Sequence, residues 1–570
     1  MRYFAQNIQD IFGISILQPY FLVTIPRMVM VLLSFISDHF IYKICRINEL
    51  RPWSTLLIFS NSHIMFTFMT RTFSNTYELI LFTALLYLVS DSMNLTNQFI
   101  REEIELEKQY REATYTLERI KIFKKQKKIP LHNYTHSLWI GGLFSLGIFN
   151  RPTFLLYSVI PMFFWMQRGM FLKKVRLADF HLRMSSLLPS FTLISFLLIL
   201  LDSLFYGSSS IWKLELRKMV VTPLNFIAYN MDQRNLAHHG LHPWYLHAAV
   251  NVPILFNILG LGGLYLISRA VVVIIGSSWT AKPDLFNFNG LAIFSFAFPL
   301  MTLSLTPHQE PRFLIPLLVP LVLLLGPFLL RRQGFWPKVW RFVWYSVNIV
   351  CILLFGFFHQ GGIYSAQRFF HQYIHQHRPS LTNTHIIYFH TYMPPMSLLT
   401  LPDRSISMTN VNGTRYRRGQ SVFVEDLAGA PWGDLEQRCN QLMHEAHTKW
   451  QRTKVRTEVF SVVPGTLTSR MDEMFLDHSS VRWVPVRKCY PHLSMEDPPY
   501  FGDLCNTSQP SQEITCQSVV QWFMDKCSQL TLIVFQLEFP LKWPFYNCSI
   551  WGTIGKVSPN FSMWRRFFAL

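Results

Sequence analysis

The sequence predicts a mostly α-helical fold, a polytopic membrane bundle followed by a C-terminal mixed α/β domain, and three observations carry that prediction. Nine apolar segments crowd the first 360 of 570 residues; the chain is 50% hydrophobic and only 15% charged; and beyond residue 359 it turns polar, with short strand-like runs. The apolar segments lie at 15–38, 53–70, 77–96, 137–165, 183–206, 246–275, 288–305, 313–330 and 342–358. Most approach the 20 or so residues needed to cross a hydrocarbon core of about 30 Å. The expected boundary puts a multi-span membrane domain at 1–358 and a luminal domain at 359–570.

A net charge of +19 raises the question of nucleic acid. The cations answer it by their placement: they cluster at 43–51, at 99–130 with KIFKKQKK, at 167–178 and at 331–341, each beside an apolar run. That is the positive-inside pattern of cytosolic loops, so no nucleic-acid partner is expected. The loop 207–245, the link 306–312 and everything after 359 then fall on the lumen side.

Two of the basic loops conflict. One apolar segment, 137–165, separates 99–130 from 167–178, and a single crossing cannot place both in the cytosol. The segment is long and broken by FNRPT at 149–153, which suggests two half-helices in a re-entrant hairpin on the cytosolic side. Irregular backbone at that depth requires surrounding protein or a water-filled cavity. A single tilted span is the alternative, and the sequon at Asn133 keeps it open. The segment 101–128, rich in Glu, Lys and Arg, suggests a solvated helix more than a partner site.

The hairpin count leaves residues 1–14 in the lumen, with no signal peptide and no preceding helix. A translocated short N-terminus or a missing helix and loop would each account for this.

Strand-like runs occur at HIIYFH (385–390), VFSVVPG (459–465) and LTLIVFQLEF (530–539). Cys439, Cys489, Cys505, Cys516, Cys527 and Cys548 fall in the same region, together with sequons at Asn412, Asn506, Asn547 and Asn560. An even cysteine set beside sequons points to disulfides and an oxidising lumen; unpaired buried thiols and unused sequons are the alternative.

The most concentrated chemistry is PHQEPRF at 307–313, where His308, Glu310 and Arg312 share a short link between two apolar runs. Ionisable groups at that depth are costly and point to function, although a solvated stop signal has the same composition. In RTFSNTYE (71–78), Arg71, Asn75 and Glu78 are spaced four and three apart and should share a helix face. Glu78 either pairs with Arg71 or faces a substrate. Asn150 and Arg151 precede Pro152, where the chain must leave helical geometry, and read as fold-forming before functional. His238, His239, His242 and His247 invite a metal, but no carboxylate or cysteine completes a ligand set, so none is expected. Hydrogen bonds to sugar hydroxyls from Asn225, Asn230, His239 and His242 suit them better, and His359 and Gln360 follow the last span.

In order along the chain, RTFSNTYE, FNRPT, TPLNFIAYN (222–230), NLAHHGLHP (235–243), HQEPRFLIPLLVPLVLL (308–324), HQGG (359–362) and HTYMPP (390–395) resemble one family. It is the dolichyl-phosphate-mannose-dependent mannosyltransferases, glycosyltransferase family 22, of the GT-C type. With EDPP at 496–499, the pattern is most similar to the GPI mannosyltransferase 4 branch. The resemblance implies an endoplasmic-reticulum membrane enzyme that transfers mannose from dolichyl phosphate mannose to the third mannose of a GPI-anchor precursor, in α1,2 linkage. The lipid-linked sugar is a substrate, and no cofactor is implied. Arg312 would then grip the donor phosphate, with His308 and Glu310 beside it, unless Arg312 merely snorkels.

The family carries an HPDE-like motif in its first luminal loop, whose acid is the expected general base. No such motif occurs here, so the catalytic residue is unassigned and the chain reads as N-terminally incomplete. Alternatives are an impaired homologue, a sibling mannosyltransferase of GPI or N-glycan precursor assembly, a non-catalytic lipid-glycan-binding protein, and a transporter.

Overall fold

A computed structural model of the chain describes residues 18–129, 134–169, 177–206, 219–231, 242–276, 287–331, 333–377, 382–401, 406–409, 415–418, 421–473, 482–499 and 529–538. The chain divides into two compact units, Val23–Leu353 and Leu354–Leu570, the second joined by Met1–Leu22.

The first unit is helical: α1 Pro19–Ile47, α2 Pro52–Ser60, α3 His63–Thr67, α4 Ser74–Glu112, α5 Thr116–Gln126, α6 Ser137–Asn150, α7 Phe154–Met166, α8 Leu177–Ser185, α9 Leu188–Tyr206, α10 Thr222–Met231, α11 Val252–Gly276, α12 Phe288–Ser304, α13 Leu318–Leu329 and α14 Phe335–Leu353. Among the described residues six helical stretches are long and apolar enough to cross a membrane: Pro19–Ile47, Ser74–Glu112, Ala178–Tyr206, His247–Gly276, Pro311–Leu329 and Phe335–Phe358. The chain is a multi-pass membrane protein.

The central element is α4. Its first half buries Leu79, Phe82, Leu85, Leu86 and Val89. These close-packed side chains are of the kind whose truncation to Ala costs about 2–5 kcal/mol each. Helices α6 and α7 run along it in opposite directions. At one end His136 Nε2 lies 2.8 Å from Asp91 Oδ2, and at the other Asn150 Nδ2 donates to the Ser74 carbonyl at 3.0 Å. The chain then reverses, so that Thr153 meets Glu78 and Gly169 packs against Thr96 and Ile100. Arg151, with φ −162° and ψ 124°, is the extended residue that breaks the helix, as its position before Pro152 requires. With 14 and 13 residues, α6 and α7 are each about 20 Å long at 1.5 Å per residue, short of a full crossing. Close packing holds the reversal, since a Cβ on Gly147 would lie 2.0 Å from the Phe154 ring.

The segment expected to be one span at 53–70 is two short helices. Ser62 caps the second by accepting from the Ile64 N–H at 3.3 Å, and Asn61 Nδ2 closes the end of the first on the Leu57 carbonyl at 2.7 Å. Polar side chains thus replace the backbone partners that a continuous helix would provide.

The second unit contains α15 Gly362–Gln372, β1 Thr382–Tyr388, β2 Ile406–Thr409, β3 Arg415–Arg418, β4 Val422–Asp426, α16 Trp432–Thr453, β5 Arg456–Pro464, α17 Thr468–Glu473, β6 Arg482–Cys489 and β7 Leu532–Glu538. The sheet order is β2-β3-β4-β1-β5-β7-β6, with β4, β1 and β5 parallel and the flanking pairs antiparallel. Alternation along β1 sends Ile386 and Tyr388 to one face and Ile387 to the other. Phe370 of α15 covers the first face; Leu435, Cys439 and Leu442 of α16 cover the second. Burial on both faces explains the continuous apolar runs of β1, β5 and β7. The mixed α/β expectation holds.

The disulfide expectation does not hold for Cys439 and Cys489. Both are free and buried in the sheet–helix cores, and burial pushes their thiols up to about 12 and about 11. They pack as small apolar side chains. Cys505, Cys516, Cys527, Cys548 and the sequons at Asn133, Asn412, Asn506, Asn547 and Asn560 lie outside the described residues.

Candidate functional site

Glu78, Arg151, His308, Glu310 and Arg312 of the first unit converge where three elements meet: the start of α4, the α6–α7 reversal and the link 307–313. Each contributes because its local sequence stops a helix there. Phe73, extended at φ −85° and ψ 143°, precedes the first turn of α4. Asn150-Arg151-Pro152 forces the reversal. Pro311 follows Glu310 and opens a 3₁₀ turn, Pro311–Leu317, before α13.

Glu78 is fully buried on α4. Thr153 Oγ1 donates to its Oε1 at 2.7 Å and Asn75 Nδ2 to its Oε2 at 3.3 Å. Its cationic neighbour is Arg151, whose Nε donates to Thr153 Oγ1 at 2.9 Å and whose Nη1 donates to Ser74 Oγ and Asn75 Oδ1 at 3.3 Å each. The Arg151 guanidinium carbon sits 4.5 Å from the Phe313 ring centroid, and the Tyr157 hydroxyl donates to the Phe313 carbonyl. These contacts tie the reversal to the link.

On the link, Arg312 Nη2 donates to Glu310 Oε1 at 3.0 Å, and its Nε lies against the other carboxylate oxygen. The guanidinium carbon is 5.8 Å from the Phe73 ring centroid. His308 Nε2 lies 2.9 Å from Glu310 Oε1. Burial raises the Glu310 carboxyl, but hydrogen bonding and charge from Arg312, then His308, outweigh it and hold Glu310 below its usual range. It is therefore ionised at neutral pH. Arg312 lies close enough for its charge to act on Arg151. The Arg312 side chain is 42% exposed.

A second polar layer fixes the link. Buried Gln309 donates through Nε2 to the Ser304 carbonyl at 2.9 Å and the Thr306 carbonyl at 3.3 Å, and its Oε1 accepts from the His247 N–H at 3.0 Å. Asn251 Nδ2 bonds His247 Nδ1 at 2.9 Å. His242 donates its backbone N–H to the Pro307 carbonyl at 2.8 Å, and its Nδ1 accepts from the Gln309 N–H at 3.4 Å. Its ring lies 6.1 Å from that of His308.

His308, Glu310, Arg312, Glu78 and His242 therefore gather as one constellation. Arg71 does not share the helix face expected of it. The helix begins at Ser74, so Arg71 lies in the preceding turn, where its carbonyl accepts from Thr76 Oγ1 at 3.3 Å. Burial and the nearby Arg27 charge lower its guanidinium from the ordinary value. Asn225 and Asn230 lie on α10, whose Phe226 ring is 6.0 Å from the Arg151 guanidinium carbon. Asn225 is exposed, and Asn230 Nδ2 donates to the Phe226 carbonyl at 2.8 Å. His239 lies outside the described residues. His359 belongs to the second unit, where its ring meets Tyr392 edge-on at 5.1 Å and its backbone bridges to Leu493. The residues that sequence reasoning undervalued are Arg151, Thr153 and Gln309. A polar run beside Pro152 and a Gln flanked by His and Glu were the available signals.

The sequence model described as the Alg9-like mannosyltransferase family matches residues 4–400, a span that includes every element of this constellation. The chain belongs to that family. The Alg9-like mannosyltransferase assignment agrees with individual relatives. A GPI mannosyltransferase 4 of Drosophila melanogaster is 31% identical over 538 residues, covering 88% of this chain and 76% of the relative. A human GPI alpha-1,2-mannosyltransferase 4 is 30% identical over 85% of this chain and 76% of its own length. A GPI mannosyltransferase 4 of Saccharomyces cerevisiae is 26% identical over 76% and 71%. No solved structure matches.

Proposed function

We propose that this Alg9-like mannosyltransferase transfers mannose from dolichyl phosphate mannose to the third mannose of a GPI-anchor precursor, in α1,2 linkage, at the luminal face of the endoplasmic reticulum. The names of the similar proteins support the acceptor. The observation that carries the donor reading is Arg312, paired to Glu310 and close to a second guanidinium, Arg151, beside a membrane-length apolar helix. Two cations at the end of a span suit the phosphate of a lipid whose chain runs in the bilayer.

In this reading the acceptor hydroxyl oxygen attacks the anomeric carbon as the bond from that carbon to the phosphate oxygen breaks. The electron pair leaves with dolichyl phosphate, the hydroxyl proton passes to a base, and β-linked donor becomes α-linked product. Arg312 and Arg151 stabilise the negative charge of the leaving phosphate. Glu310 orients Arg312 rather than taking the proton, because a carboxylate held below its usual range by two partners is a poor base. In this reading His308, His242 and Asn225 bond sugar hydroxyls. The basic loops lie in the cytosol, the α6–α7 reversal enters from that side, and the link 306–312 faces the lumen.

Proteoliposomes containing the purified chain and a three-mannose GPI precursor test the donor. Transfer is expected with dolichyl phosphate mannose and not with GDP-mannose; the reverse preference would contradict the lipid-linked donor.

A further inference from the structure

The membrane-length stretch Phe335–Phe358 ends inside the second unit, which begins at Leu354. Seventeen residue steps separate Arg341, the last cation of that stretch, from Phe358, about 26 Å at 1.5 Å per residue. With Arg341 at one boundary of a hydrocarbon core about 30 Å thick, Phe358 does not pass the other. Gln360, left-handed at φ 56°, turns the chain off the helix, and two loops of the second unit fasten to that turn. The Leu493 N–H donates to the Phe358 carbonyl at 2.7 Å, and its carbonyl accepts from the Gln360 N–H at 3.1 Å. The Tyr392 N–H donates to Gln360 Oε1 at 3.4 Å, and the Tyr392 ring lies 5.1 Å from that of His359. Ser494 Oγ joins the loops by donating to the His390 carbonyl at 3.0 Å. Strand β1 ends at Tyr388, two residues before His390, so both loops lie at the carboxyl end of the parallel strands. On them Tyr392, Met393, Tyr490 and Met495 are each more than half exposed, as is Phe357 in the last turn of the helical stretch.

We propose that Tyr392, Met393, Tyr490 and Met495 seat in the headgroup layer of the leaflet where Phe358 ends, so that the carboxyl end of the sheet rests on the membrane. Lipid is the partner because the patch continues the exposed surface of a spanning helix. Its loops are hydrogen-bonded to Phe358 and Gln360, at the helix end itself, with no soluble segment between. The residue types agree: Tyr, apolar in body and polar at its tip, is enriched where membrane meets water. Met fits its unbranched thioether to an irregular surface. This inference does not depend on the sugar chemistry.

Photocrosslinking of the full chain in phosphatidylcholine nanodiscs tests it. p-Benzoylphenylalanine replaces Tyr392 or Tyr490, keeping an aromatic ring at each place, or Gln451 as the control. Gln451 is exposed near the end of α16, which leads to Arg456 of β5 opposite Thr382 at the start of β1. That end of the strand is about 20 Å from Tyr388 at 3.3 Å per residue. Irradiation should give phosphatidylcholine adducts, read by mass spectrometry, on the order of tenfold more abundant at 392 and 490 than at 451. An unchanged melting temperature is the folding control. The M393D/M495D double variant should cut the adducts at 490 several-fold. Adducts at 392 and 490 no more abundant than at 451 would overturn the inference. So would crosslinks to a polypeptide in place of lipid, which would make the patch a protein contact.

Discussion

The Arg151 guanidinium stacks 4.5 Å from the centroid of Phe313, joining a helix reversal to a link more than 150 residues later in the chain. Through that contact the buried Glu78 network and the Glu310–Arg312 pair become neighbours, so a substitution in one alters the other's surroundings.

Arg312→Ala should lower mannosyl transfer by about 10²–10³, the cost of removing a preorganised charge partner. Arg312 is partly exposed, so the variant should still insert and show an unchanged melting temperature. Arg312→Lys should recover only part of the rate, because a point charge does not replace a planar fork. A transfer assay alongside a thermal melt separates the two effects.

Arg151→Met leaves the buried Glu78 carboxyl without its cation, which should cost about 3 kcal/mol of stability. Adding Glu78→Gln removes the orphaned charge and should restore most of the melting temperature. If Arg151 also contacts the donor, the double variant folds and remains slow. Recovery of full activity would make Arg151 purely structural.

The second unit should weaken in acid. Burial holds His385 near pKa 3, helped by Lys449 and Arg438, and burial holds His492 near 4, helped by His359. The unfolded chain binds these protons near 6.5 while the folded one refuses them, so stability is complete above 6.5 and falls as pH drops from there toward 4. Each histidine contributes up to about 1.4 kcal/mol per pH unit. Melting temperature should therefore fall between pH 7 and pH 5. His385→Phe should flatten the fall, since a second ring can stack on Phe423 in place of the imidazole.

Glycosylation mapping in cells tests the sidedness. Asn506 or Asn547 should carry a glycan and Asn133 should not. A glycan on Asn133 would place 99–130 in the lumen and exclude entry of the reversal from the cytosolic side.

Hydropathy made the long spans and the apolar strands legible because burial is a property of composition. The link 307–313 was legible because ionisable groups between apolar runs are rare. What sequence could not supply was pairing in space. Spacing offers Arg71 as the partner of Glu78, but α4 begins at Ser74 and leaves Arg71 outside the helix, and the cation beside Glu78 is Arg151. The strands β2 and β3, at one end of the sheet, were missed because they are four residues long and lack an apolar run. The break at Asn61-Ser62 was missed because side-chain capping is invisible to a hydropathy window.

The central claim is transfer of a fourth mannose to a GPI precursor. Microsomes from cells that lack this activity, given the full chain, should form a four-mannose precursor when supplied with dolichyl phosphate mannose. Accumulation of the three-mannose precursor alone, with the chain present and inserted, would contradict it.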